Sequence, residues 1–245
     1  MSNLHNNNPP EAVVRTPRTW DFMETTFAAL LAHGAYLIIG GLSLTLIFSA
    51  QGLGNSQAEL NALAQQGRWQ GISVATGSLA AIAVLWIAIR KAGREFSEYL
   101  ALNWPSPKDL VMALVFTGIV LAAEMMLLPD SAASDPTLVV KSAGALFILL
   151  VSGCILGPMM EEFVFRGFLF RGWSQSFIGP IGSILIISAI WAITHTQYDW
   201  LEKGFIFATG LILGYFRWRS NSTLLALIVH SAMNILAFFT MGKYS

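Results

Sequence analysis

Charge is scarce in this sequence. Only 11% of its 245 residues are Asp, Glu, Lys or Arg, where soluble domains carry about 25%. With 55% of the residues hydrophobic, the chain has more apolar surface than one water-facing core can hide. A water-soluble globular domain is excluded, and lipid is the solvent that remains. An excess of either charge is missing too. The 14 basic and 14 acidic side chains cancel, so no basic surface points to nucleic acid. Cysteine is nearly absent. Cys154 stands alone, which rules out an intrachain disulfide, and its apolar surroundings predict a buried, inert thiol. There is no internal repeat, no low-complexity domain and no His-Glu-x-x-His. Nor does the N-terminal region show a short apolar stretch followed by a small-residue cleavage site. Residues 1–25, polar through Pro9-Pro10 to Arg18, predict a mobile tail, with the first hydrophobic span as an uncleaved targeting signal.

What is present is a series of apolar runs near the ~20 residues that a membrane span needs. They fall at Thr26 to Ala50, Ile72 to Ile89, Leu110 to Leu128, a stretch after Lys141, Phe177 to His195, Gly204 to Trp218 and Ser222 to Met241. The sixth is the shortest and leans on the flanking Trp200 and Trp218. Lipid offers the backbone no hydrogen bonds, so each run must be a helix. The expected fold is all-α, a polytopic membrane bundle of about seven helices. Residues 26–140 would form the N-terminal spans and 141–243 a second, polar-bearing core.

Basic residues orient this threading. With the N-terminus inside, the inner segments hold Arg15, Arg18, Arg90, Lys91, Arg94, Lys108, Arg166, Arg171, Arg217 and Arg219. The outer segments hold Arg68, Lys141, Lys203 and Lys243, beside Glu59, Asp130, Asp135, Asp199 and Glu202. That bias is the one the positive-inside rule expects.

Ionisable groups inside spans are costly and ask for a purpose. The fourth run ends Gly157-Pro158-Met159-Met160-Glu161-Glu162-Phe163-Val164-Phe165-Arg166, and the apolar residues beyond predict a helix to about Trp173. The fifth ends Trp191-Ala192-Ile193-Thr194-His195, and the seventh holds His230-Ser231-Ala232-Met233-Asn234. Neighbouring helical residues point about 100° apart, so the two glutamates cannot both face one cavity. Glu162 and Arg166 are four apart, acid first, a favourable pairing that gives a buried guanidinium its carboxylate. Glu161 is left for chemistry. His230 and Asn234 are also four apart and share a face. From the inner ends of the helices, Glu161 lies roughly 18 Å deep, His195 about 24 Å, His230 about 12 Å and Asn234 about 18 Å. The average is near the middle of a ~30 Å core.

Glu-Glu-x-x-x-Arg, then aromatic-x-x-x-His, then His-x-x-x-Asn resembles the CAAX-protease and bacteriocin-processing family, also called Abi proteins, over about the last hundred residues. Trp191 is a departure, since the family pattern has Phe there. The resemblance implies a glutamate-type intramembrane endopeptidase without cofactor or metal. In it Glu161 activates a water, aided by His195, while His230 and Asn234 hold the oxyanion. The partners implied are membrane lipid and a peptide or protein substrate, prenylated at its C-terminal tail in members of known role. The setting that suits it is a bacterial inner membrane. Residue chemistry agrees. Partial desolvation among Phe and Met side chains makes a carboxylate a better base. Preplaced donors stabilise the negative charge that builds on an attacked carbonyl oxygen.

Other readings use the same residues. Both glutamates could pair with Arg166 and Arg171, His195 could cap a helix, and His230 with Asn234 could be interhelical glue. His33 and Glu124 match no motif and read as packing or pore-lining groups. Glu161, His195 and His230 are also a plausible zinc set by type. Intramembrane Glu and His can mark a proton-coupled transporter, although no inverted repeat or pair of broken helices is evident. A non-catalytic immunity or scaffold protein would show a broken motif, and every motif position here is filled.

Overall fold

Local sequence sets where the helices start and stop. In the computed structural model, which describes residues 18–64, 66–128 and 146–241, Asp21 and Glu24 form a reciprocal capping box that opens α1 (Phe22–Gln51). Gly52 closes that helix in the left-handed conformation, φ 66°, where a Cβ would be strained. A short α2 (Gln57–Ala64) leads into α3 (Gly67–Lys91), and α4 (Phe96–Tyr99) lies in the connection that follows. Ser106 caps α5 (Pro107–Leu127), with proline in the first turn where its missing N–H costs nothing. Then come α6 (Leu146–Ser174) and α7 (Gly179–Thr194). A second capping box, Asp199 with Glu202, opens α8 (Trp200–Ser220). Last is α9 (Thr223–Met241), with the Ser222 hydroxyl accepting from the Leu225 N–H.

The seven expected spans correspond to α1, α3, α5, α6, α7, α8 and α9. Of these, α1, α3, α5 and α6 are long and apolar enough to cross a membrane, while α7 and the 223–239 part of α9 are shorter apolar helices. Helix α8 is less apolar because Glu202, Lys203, Arg217 and Arg219 sit near its ends. Of the tail expected over residues 1–25, the part from Arg18 is described, and residues 22–25 already belong to α1; Arg15, Asp130, Asp135, Lys141 and Lys243 lie outside the described residues. Large apolar side chains such as Leu30, Leu46 and Phe147 face outward, as a lipid-solvated bundle requires. Small residues bring helices close. A Cβ on Gly77 of α3 would lie 2.5 Å from the Tyr36 carbonyl of α1, and one on Gly210 of α8 would lie 2.9 Å from Ser188 of α7.

Basic side chains gather at one end of the bundle. Glu98 of α4 accepts from Arg94 at 2.6 Å and from Arg171 at 3.0 Å, and Arg219 pairs with Asp109. The hydrogen bond from Arg94 is the main reason that the Glu98 carboxyl titrates below the usual carboxylate range. Two residues counted as inner-segment charges belong elsewhere. Arg166 and Arg217 are 1% and 3% exposed, so they are core groups, as the pairing of Arg166 with Glu162 already implied for the first of them. The connection beside α4 also fastens the start of α9. The Thr223 N–H donates to the Ala101 carbonyl and the Asn103 amide to the Asn221 carbonyl. That clamp holds the helix bearing His230.

Candidate active site

Helix α6 carries the site, and its backbone is irregular there. Ordinary α-helical turns over Gly157–Glu162 are flanked by wider π-type turns at Ser152–Leu156 and Phe163–Leu169. The sequence reason for the first is Pro158, which has no N–H and crowds the preceding turn. In the wider register the Gly157 N–H reaches the Ser152 carbonyl. The next donor in that register would be residue 158, directed at the Gly153 carbonyl. Proline cannot supply it. The side-chain amide of Asn234, on α9, donates to that same Gly153 carbonyl at 2.8 Å.

The two glutamates meet different surroundings. Glu162 is fully buried, and its Oε1 accepts both from Arg166 Nη1 at 3.0 Å and from His230 Nδ1 at 2.9 Å. The pairing of Glu162 with Arg166 is the one its i,i+4 spacing predicts. The bond from His230 is an additional partner that spacing could not show. Glu161 is half-buried, and the ion pair of Arg166 is with Glu162 and not with Glu161. Its Oε2 accepts from the indole Nε1–H of Trp191 at 2.6 Å.

Helix α7 brings the third motif residue. His195 caps its C-terminal end, and Nδ1 lies 2.7 Å from the Trp191 carbonyl. A carbonyl only accepts, so Nδ1 carries the hydrogen, and in a neutral ring Nε2 is left with its lone pair. Tyr198, in the loop beyond, stacks against His195 with ring centroids 6.1 Å apart. Burial pushes its phenol up, so it stays neutral. By the same reasoning His230 donates Nδ1–H to the Glu162 carboxylate and keeps Nε2 for a second partner.

Trp191 joins these groups. Its ring centroid is 5.1 Å from that of His195 and 5.3 Å from that of His230, both edge-on, and the Arg166 guanidinium carbon lies 4.3 Å from its centre. Glu161, His195, His230 and Arg166 therefore converge on one side chain. His230 and Asn234 both turn toward α6, as their shared face requires, but each already holds a bond there. Sequence reasoning weighed Trp191 only as an aromatic in a Phe position. The indole N–H was the available signal, because a buried tryptophan donor needs an acceptor. Among the described residues, no three His, Cys, Asp or Glu side chains come together as a metal-binding group. Cys154 is a buried free thiol, as its apolar setting predicts, and His33 packs against Tyr36.

Residues 143–236 match the family model described as type II CAAX prenyl endopeptidase, Rce1-like. The matched segment contains Glu161, Glu162, Arg166, His195, His230 and Asn234, the residues on which the resemblance was drawn. A curated protein of Escherichia coli, described as an uncharacterized 24.3 kDa protein, is 29% identical over 121 residues, 49% of this chain. The match spans 56% of that relative's length. No solved structure matches.

Proposed function

From a chain whose residues 143–236 carry an Rce1-like domain in a polytopic membrane bundle, we propose an intramembrane endopeptidase that uses Glu161 as general base. The observation that carries this reading is the division of labour between adjacent carboxylates. Glu162 is sealed and committed to Arg166 and His230, while Glu161 is partly accessible, has one oxygen on Trp191, and stands where His195 and His230 also gather. A water held by the other oxygen of Glu161 attacks the scissile carbonyl carbon as Glu161 takes its proton. The Nε2 lone pair of His195 accepts a hydrogen bond from the same water.

The tetrahedral oxygen then carries negative charge. His230 Nε2 donates to it when the ring holds both protons. Asn234 has two amide hydrogens, one on Gly153 and one for the oxyanion. Collapse breaks the C–N bond, and the proton held by Glu161 passes to the leaving amine. Prenylated C-terminal tails are the substrate class that the family match suggests for this chain. A bacterial inner membrane is the proposed location, supported by the Escherichia coli relative.

The test is turnover by the purified chain in liposomes. The probe is a quenched fluorogenic peptide with a farnesylated cysteine three residues from its end, compared with its unprenylated form. Glu161→Gln keeps shape and removes the base, so turnover should fall about 10²–10⁴-fold. Full activity in that variant overturns the reading. Loss of activity with a chelator and rescue by zinc would move the site to the metalloprotease class.

A further inference from the structure

Trp191 is 3% exposed and sits on α7 one turn before His195, opposite Glu161. Its two polar groups serve different partners. The indole N–H holds Glu161 Oε2 at 2.6 Å, and the main-chain carbonyl holds His195 Nδ1 at 2.7 Å. The terminal torsion of a glutamate is broad and roughly two-fold, so an untethered carboxylate samples many planes. A short N–H donor on one oxygen fixes the plane and leaves Oε1 for the water. A carboxylate without that donor could turn toward the Arg166 guanidinium, which lies over the same indole ring. Phe, the residue of the resembling pattern, would supply the ring but no donor. In this chain the aromatic position has gained a second task.

We propose that Trp191 is a positioning residue for hydrolysis, setting the Glu161 carboxylate through its indole N–H and the His195 ring through its carbonyl. The proposal rests on Glu161 acting as the base. It separates cleanly by mutation, because Trp191→Phe removes the N–H and leaves the main-chain carbonyl on His195 intact. In liposomes with the farnesylated probe, Trp191→Phe should lower kcat roughly 10- to 100-fold with KM within about twofold of the parent. Replacing Trp191 by benzothienylalanine, which has sulfur in place of the N–H at nearly the same shape, should reproduce that loss and guards against a packing defect in the Phe variant. A second measurement needs no activity. The indole N–H resonance of Trp191 in micelles, assigned by its loss in Trp191→Phe, should move upfield in Glu161→Gln as the charged acceptor is removed. Parental kcat in both Trp191 variants, or an indole resonance unmoved by Glu161→Gln, overturns the proposal and leaves the base assignment standing if Glu161→Gln is inactive. Full turnover in Glu161→Gln removes both.

Discussion

The Asn234 amide donates to the Gly153 carbonyl that Pro158 leaves without a donor. Two helices distant in sequence are thus joined through a defect that proline creates in one of them. An unpaired carbonyl costs about 1–3 kcal/mol, and lipid offers it no substitute partner. Asn234→Ala should therefore lower thermal stability in detergent as well as kcat. Pro158→Ala, which restores an N–H at position 158, should recover much of the stability but not the rate. Equal recovery of both would show that Asn234 acts only as a support.

Glu162→Gln leaves the Arg166 guanidinium buried with a neutral neighbour. Breaking a buried pair costs about 3–5 kcal/mol, so the variant should show reduced folded yield and a lower unfolding temperature. A well-folded Glu162→Gln protein that has lost all turnover would reverse the division of labour between Glu161 and Glu162.

Acid should loosen the basic end of the bundle. Glu98 titrates below its ordinary range in the folded chain, chiefly through the hydrogen bond from Arg94. Its contribution is fully present above the unfolded carboxylate value and is lost as pH falls through the depressed folded value. Half-exposure of the Glu98 side chain keeps the effect small. Thermal unfolding of the parent and Glu98→Gln should differ at neutral pH and converge at acid pH. A gap that persists at low pH would assign the difference to packing.

Orientation can be read by labelling. Arg18, Arg90, Lys91, Arg94, Lys108, Arg171 and Arg219 lie on segments at the same end of the bundle, and the positive-inside rule predicts that this end is cytoplasmic. In a Cys154→Ser background, Arg94→Cys should resist an impermeant maleimide in intact cells and react after permeabilisation. Labelling from outside in intact cells would invert the topology.

The spans and the Glu162–Arg166 pair were legible because apolar runs and i,i+4 spacing are both local in the sequence. Helical spacing also showed that His230 and Asn234 share a face. It could not show what that face meets. The contacts of His230 with Glu162, Trp191 with Glu161 and Asn234 with Gly153 cross 68, 30 and 81 residues of chain. They exist only once α6, α7 and α9 pack together. Arg166 was legible as a buried guanidinium from its spacing to Glu162, whereas the burial of Arg217 depends on neighbours that hydropathy does not report. The widened turn at Pro158, and the helix that satisfies the carbonyl it orphans, were decided only in the folded chain. Local chemistry determined which polar groups this protein carries into the membrane. The packing of three helices decided which of them are paired, which are sealed, and that Glu161 is held by Trp191.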